Sequence, residues 1–276
     1  MTYPFLKGHG TENDFVLLPD PDGAIHGALL PQRVAALCDR RAGIGGDGVM
    51  RVIRTVALRE HEGVESDAEW FMDYRNSDGS LSEMCGNGIR VFARYLVDYE
   101  GASSPVIIGT RSGDKTVTVE GDLITADLGV PTVLGDTTVS VGNRTWSAQH
   151  IDMGNPHAVA FVDDLAYAGP LLEAPGHDEQ VYPDGVNVEF VVRRGARHVA
   201  MRVHERGSGE TRSCGTGACA VMVATALADG VSGPPTADTT YRVDVPGGEL
   251  AITWTSGNRM LLTGPAEIVA TGESDL

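Results

Sequence analysis

Four cysteines punctuate this chain, and two of them open the same local phrase. Cys85 begins "CGNGIRVFARYLV" and Cys214 begins "CGTGACAVMVATALA". In each, the thiol precedes a glycine and an apolar, helix-like stretch follows. A thiol at the mouth of a helix meets free backbone N–H groups and the positive end of the helix dipole. That setting is expected to lower the thiol pKa and make thiolate accessible near neutral pH. Gly86 and Gly215 carry no side chain, so a ligand can approach the N–H groups closely and the same corner can bind a carboxylate. Two such thiols facing each other across a cleft suit the inversion of a stereocentre. One takes a proton from one face of a carbon and the other returns a proton to the opposite face. A racemase without a cofactor needs such a pair of bases, with electrostatic help for the developing carbanion. One sulfur must be thiolate while the other is thiol, so their titrations are coupled. Cys38 and Cys219 read instead as small buried apolar residues. Thiols that close on one small carbon also have the reach for a disulfide, so oxidants are expected to join Cys85 to Cys214 reversibly.

The polar residues around these corners offer recognition. Glu205 and Arg206 sit on the turn that enters the second corner. Arg206 can clamp a carboxylate through two parallel bonds, and Glu205 can accept from an ammonium group. Position alone also fits a surface ion pair. Asn13, Asn76, Asn155 and Asn187 recur at matched places near strand ends, where turn formation is the alternative role. His157 follows Asn155-Pro156 and can either tune a nearby thiol or serve the fold. "GIGGDG" (43–48) is not G-x-G-x-x-G and leads into a strand, which excludes a dinucleotide reading.

The elements that must hold these residues alternate along the chain. "DFVLLPD", "DGVMRVIR" and "AEWFMDYRN" read as strands, and "PQRVAALCDRR" as a short helix with Pro31 in its first turn. "TVTVEGDLITADLG" reads as a hairpin bending at Gly121-Asp122. "VNVEFVVRR", "HVAMRVHER", "TYRVDVPGGELAITWTSGNRMLLTG" and "AEIVAT" supply further strands. The repeat extends beyond the cysteines: "NDFV" echoes in "NPHAV", and "DGVMRVI" in "DGVNVEFVV". Asn76 and Glu205 each stand nine residues before their cysteine. Both helices are apolar nearly all round, so each is expected to be enclosed rather than laid on one face of a core. The implied fold is α/β (α+β), with two pseudo-symmetric domains, each a mostly antiparallel mixed sheet wrapped round a central helix. The first domain is 1–130 plus 264–276 and the second 131–263. The final strand, "AEIVATGESDL", has no counterpart in the second half and returns to complete the first.

Bulk composition narrows the functional classes. The 276 residues carry a net charge of −17, which opposes nucleic acid as a partner because phosphate binding needs a basic face. No apolar run approaches the roughly 20 residues that span a bilayer, and the start lacks the apolar core of a signal peptide. A cytoplasmic protein is expected. Four cysteines in this length are too sparse for a disulfide scaffold, and no C-x-x-C pair suggests a metal site.

Together these phrases resemble the diaminopimelate epimerase family. "KGHGTENDF" is similar to the family's opening K-x-H-G-x-x-N-D-F. "NSDGSLSEMCGNGIRVFARY" resembles its first-cysteine motif, "MGNPHAV" its central motif and "HERGSGETRSCGTGACA" its second-cysteine motif. The resemblance covers essentially the whole chain. It implies interconversion of LL- and meso-diaminopimelate, on the path to lysine and peptidoglycan, with no pyridoxal phosphate and no metal. By motif position Cys85 and Cys214 are the two acid/bases, tuned by His157 and Glu205. Asn13, Asn76, Asn155, Asn187, Glu205 and Arg206 are implied to hold the substrate. Gly86-Asn87 and Gly215-Thr216 are implied to present N–H groups to the carboxylate beside the reacting carbon. One position departs. Many members carry Gln after "GIGGD", where this chain has Gly48, so a water or a neighbouring residue is expected to fill the gap. Proline racemase and hydroxyproline epimerase are the rival reading. They also use paired cysteines, but their compact cyclic substrate has no distal zwitterion, and "CGNG" with "HERGSGET" favours diaminopimelate. The partner is thus a small molecule, with neither nucleic acid nor membrane. A homodimer enters only as an expectation, since no feature of the sequence sets the oligomeric state.

Overall fold

A computed structural model describes residues 2–62 and 64–276. In chain order its first half runs β1 (Tyr3–Gly10), β2 (Asn13–Pro19), α1 (Pro31–Cys38), β3 (Gly48–Arg54), α2 (Thr55–Glu62), β4 (Trp70–Asn76), α3 (Gly86–Tyr99), β5 (Val106–Gly109), β6 (Lys115–Glu120) and β7 (Leu123–Asp127). Then come β8 (Thr132–Val141), β9 (Arg144–Asp152), β10 (Pro156–Phe161), β11 (Gly176–His177), β12 (Asn187–Gly195), β13 (His198–Glu205) and β14 (Gly209–Thr211). The chain closes with α4 (Gly215–Ala228), β15 (Thr239–Val245), β16 (Gly248–Trp254), β17 (Met260–Pro265) and β18 (Glu267–Ser274). It divides into two compact units, Met1–Ala126 with Pro265–Leu276, and Asp127–Gly264.

In the first unit the strands pair in the order β18-β1-β2-β3-β4-β5-β6-β7. The joins are antiparallel except β2–β3 and β4–β5, which are parallel. In the second unit the order is β8-β9-β10-β12-β13-β15-β16-β17. Here the parallel joins are β10–β12 and β13–β15, the same places in the series. Parallel neighbours need a crossover connection, and α3 and α4 are the crossovers of β4–β5 and β13–β15. This register corrects one expectation. The final strand does have a counterpart: β8 holds in the second unit the edge place that β18 holds beside β1 in the first. The kinship escapes the sequence because both strands are largely exposed, with no buried face to impose a shared pattern.

Each crossover helix is enclosed by its unit's own strands. α3 packs against β1, β2, β3, β6 and β18, and α4 against β9, β10, β12, β13, β15 and β16. Ile89, Phe92 and Leu96 of α3 and Val221, Met222 and Val223 of α4 have no solvent exposure. Each such side chain stabilises its unit by about 1.5–3 kcal/mol. Arg90 is the charged residue on the buried side of α3. Fully buried, its guanidinium donates to Gly86 O, Asn87 Oδ1 and Thr11 Oγ1 at 3.2, 3.0 and 3.2 Å. No helix among the described residues is long and apolar enough to cross a membrane.

Candidate active site

The first corner forms where the chain leaves β4 and turns into α3. Cys85 is the N-cap of α3, with extended backbone at φ −137° and ψ 121°. Its sulfur accepts from Gly88 N at 3.4 Å, using one of the N–H groups that a helix start leaves without a carbonyl. The thiol donates to Asn13 Oδ1 at 3.6 Å, and Asn87 Nδ2 donates to the same oxygen at 3.1 Å. Asn13 Nδ2 donates to Asp47 Oδ2 at 2.6 Å. The Asn13 amide is therefore held from both ends and can turn only one way. Asp47 also accepts from Asp14 N at 3.2 Å and pairs with Arg40 at 2.7 Å. Burial pushes the Asp47 carboxyl up, partly offset by the Asn13 bond. Asp14 meets Lys7 at 2.6 Å and Arg40 at 2.7 Å. Burial would raise its pKa, but the hydrogen bonds and charges of Arg40 and Lys7 prevail and hold it at about 2.

Asn76 stands apart from this cluster. It ends β4 opposite Gly48, and its Nδ2 donates to Ser80 Oγ at 3.0 Å across the following turn. The space beside Gly48 is filled by a neighbour. A Cβ there would lie 2.5 Å from Tyr74 Cε2 and 2.5 Å from Arg75 O, so the Tyr74 ring takes the room a longer side chain would need.

The second corner repeats the first between β13 and α4. Cys214 is the N-cap of α4, at φ −121° and ψ 117°, and its sulfur accepts from Gly217 N at 3.3 Å. Thr216 Oγ1 lies 3.6 Å from the sulfur. Glu205, the last residue of β13, accepts from Thr211 Oγ1, and its charge acts on the Cys214 thiol. Asn187 Oδ1 accepts from Arg206 N at 2.8 Å and so pins the Glu205-Arg206 turn. The exposed Arg206 guanidinium reaches Asp184 O at 3.3 Å. His157, fully buried, lies 3.0 Å from Asn155 Oδ1 through Nε2 and 2.6 Å from Glu189 Oε1 through Nδ1. Gly86 and Gly215 open the two helices, with Asn87 and Thr216 next in the same first turns.

One expectation fails at this corner. The helix start does not lower the Cys214 thiol: burial pushes its pKa well up, and the Glu205 and Glu189 charges push it further. The bonds to Thr216 and Gly217 act the other way and are outweighed. Removing a thiolate from water and placing it beside two carboxylates costs more than one N–H and a partial helix charge return. Glu205 is itself pushed up by burial. All four cysteines are free thiols, and burial raises Cys38 to about 11.

Two carboxylates were missed at the sequence level. Asp47 lies inside "GIGGDG", where the absence of a nucleotide loop and the departure at Gly48 draw attention away from the acid. Glu189 lay inside "VNVEFVV", where the signal was a lone acid within an apolar strand.

The repeated unit of a sheet wrapped round a crossover helix is a fold this chain shares with solved structures. A hydroxyproline epimerase from Agrobacterium vitis superposes with a TM-score of 0.62 at 15% identity, covering 99% of this chain and 92% of that one. A PhzF-family phenazine biosynthesis protein from Bacillus anthracis superposes with a TM-score of 0.70 at 14% identity over the whole of both chains. Closer kinship comes from sequence. The diaminopimelate epimerase family model matches residues 5–134 and 150–269. The diaminopimelate epimerase of Streptomyces coelicolor is 59% identical, covering 98% of this chain and 95% of that protein. The chain belongs to the diaminopimelate epimerase family.

Proposed function

We propose that this protein interconverts LL- and meso-2,6-diaminopimelate, using Cys85 and Cys214 as acid and base. The observation that carries the reading is the doubled corner: two thiols, each an N-cap on an enclosed helix, in a chain of this family. One sulfur, as thiolate, takes the α-proton; the other, as thiol, supplies a proton to the opposite face of the same carbon. The substrate's α-carboxylate accepts from helix-start N–H groups of Gly86-Asn87 and Gly215-Thr216, where the helix dipole favours negative charge. Those donors also stabilise the carbanion as charge develops on the carboxylate. Arg206 and Glu205 read the distal carboxylate and ammonium, assisted by Asn13, Asn76, Asn155 and Asn187. His157 and Glu205 tune the thiols. A substrate lacking the distal zwitterion would leave these groups unpaired, which is a strong basis for discrimination. Both sulfurs must stay reduced for this chemistry, and we assign the enzyme to the reducing cytoplasm on that ground.

The test is exchange of the α-proton into deuterated water, followed by NMR with each substrate in turn. Diaminopimelate should exchange and proline should not. Faster exchange with proline would overturn the assignment.

A further inference from the structure

Beneath the first turn of α4 lies a carboxylate that the chemistry above does not use. Glu189 is the third residue of β12, and it and its neighbours Val188 and Phe190 are fully buried. A charge in such a place is costly unless it is answered. One oxygen is answered: Oε1 lies 2.6 Å from His157 Nδ1. An ionised carboxylate can only accept, so this contact calls for the proton on Nδ1 whenever Glu189 is charged. The other oxygen, Oε2, is buried with no hydrogen-bond partner. The same carboxylate lies against the cysteine corner. A Cβ on Gly217 would be 2.7 Å from Glu189 Oε1 and 3.2 Å from Cys214 Sγ, so both groups close on one residue of the helix.

The first unit shows what the fold alone requires here. β2 and β3 pair Phe15 with Gly48, and β10 and β12 pair His157 with Asn187. Two residues further along, Met50 takes the place of Glu189. Met50 Sδ lies 3.2 Å from where a Gly88 Cβ would stand, and Phe15 Cζ lies 3.5 Å from it. A thioether and a phenyl ring support one helix start, so an ion pair is not needed to support the other. Buried ion pairs can often be replaced by apolar groups without loss of stability.

We propose that Glu189 is a positioning residue for this reaction: it orients His157, on which Asn155 rests, and from beneath the helix start it favours the thiol form of Cys214 in the resting enzyme. The catalytic part of this rests on the function proposed above. The groups that face Cys214 are Glu205 from β13, Glu189 from β12 with His157 behind it on β10, and the Thr216 hydroxyl and Gly217 N–H of α4. The two carboxylates oppose a thiolate. Glu205 stands at the open end of β13, near the turn that reads substrate, whereas Glu189 is sealed beneath the helix. Glu189 is therefore the carboxylate set apart from the substrate-reading turn.

The test uses protein labelled with ¹³C at the Cβ of its four cysteines, titrated by NMR. Glu189→Gln keeps the shape and the acceptor for Nδ1 but removes the charge. It should move the Cys214 midpoint down by about one pH unit and leave the Cys85 midpoint in place. An unmoved Cys214 midpoint would overturn the proposal. The wild-type protein supplies an independent readout through its imidazole ¹⁵N shifts. His157 should carry its proton on Nδ1; a bare Nδ1 would overturn the proposal even if the variant failed to fold. Neither measurement uses diaminopimelate. Failure of wild-type protein to exchange that substrate's α-proton would sink the proposed function and leave these results standing.

Discussion

The two units build the same corner over different floors. Under the first turn of α3 lie Met50 and Phe15, and Cys85 meets the amide of Asn13. Under the first turn of α4 lies Glu189, with His157 behind it, and Cys214 faces the charge of Glu205. Strand order, parallel joins, helix caps and the sulfur-to-N–H bonds are alike; the charge around the sulfur is not. A two-base inversion needs both properties. In the two-base reaction proposed above, matching frames would offer a sulfur to each face of one carbon, and unlike surroundings would set which sulfur starts with the proton.

The largest effect that would break this comparison is loss of either thiol. Cys85→Ala and Cys214→Ala should each lower epimerisation by roughly 10³-fold or more, the range of a lost general acid or base. Circular dichroism should show both variants folded, since Cys85 and Cys214 sit at helix starts rather than in a helix core. Wild-type turnover in either variant would show that the corners are not a pair. A smaller effect concerns the clamp peculiar to the first corner. Asp47→Ala frees one end of the Asn13 amide beside Cys85 and should lower kcat/KM about tenfold to hundredfold through misplacement alone. Steady-state kinetics unchanged by this variant would show that the clamp serves the fold only. The smallest effect is on acid stability. Asp14 is depressed in the folded protein to about 2, so its contribution is present above its unfolded pKa of about 3.9 and is lost as pH falls towards 2. Asp14→Asn should flatten the urea-unfolding midpoint against pH across that window, and an unchanged slope would count against the Lys7–Asp14–Arg40 cluster as its source.

What was legible in the sequence follows from locality. The cysteine corners, the enclosed helices and the hairpin at Gly121-Asp122 are written in consecutive residues, and β6, β7, α3 and α4 stand where those residues indicate. Helix α2 escaped because Thr55–Glu62 follows directly on a β-branched strand with no cap or breaker between them. The β8–β9 hairpin escaped because β8 is rich in Thr and mostly exposed and β9 buries only Ala148 and Ile151, so neither carries an apolar alternation. The motif residues were legible one by one, but their wiring was not. Asp47 reaches Asn13 across 34 positions and Glu189 reaches His157 across 32, through parallel strand pairs whose register no local pattern reveals. Cys214 shows the cost of reading locally. Its helix start argued for a low pKa, and burial beside two carboxylates reversed it.

The central claim, two sulfurs working on one carbon in opposite senses, is tested most directly by isotope placement early in the reaction. Pure LL-diaminopimelate is incubated with the enzyme in deuterated water and stopped after a few per cent conversion. Deuterium should then be present in the meso product at the inverted carbon and absent from the recovered LL substrate, because the product proton comes from a second, solvent-exchanged thiol. Deuterium entering recovered substrate as fast as product would mean that a single base serves both faces, and would contradict the account.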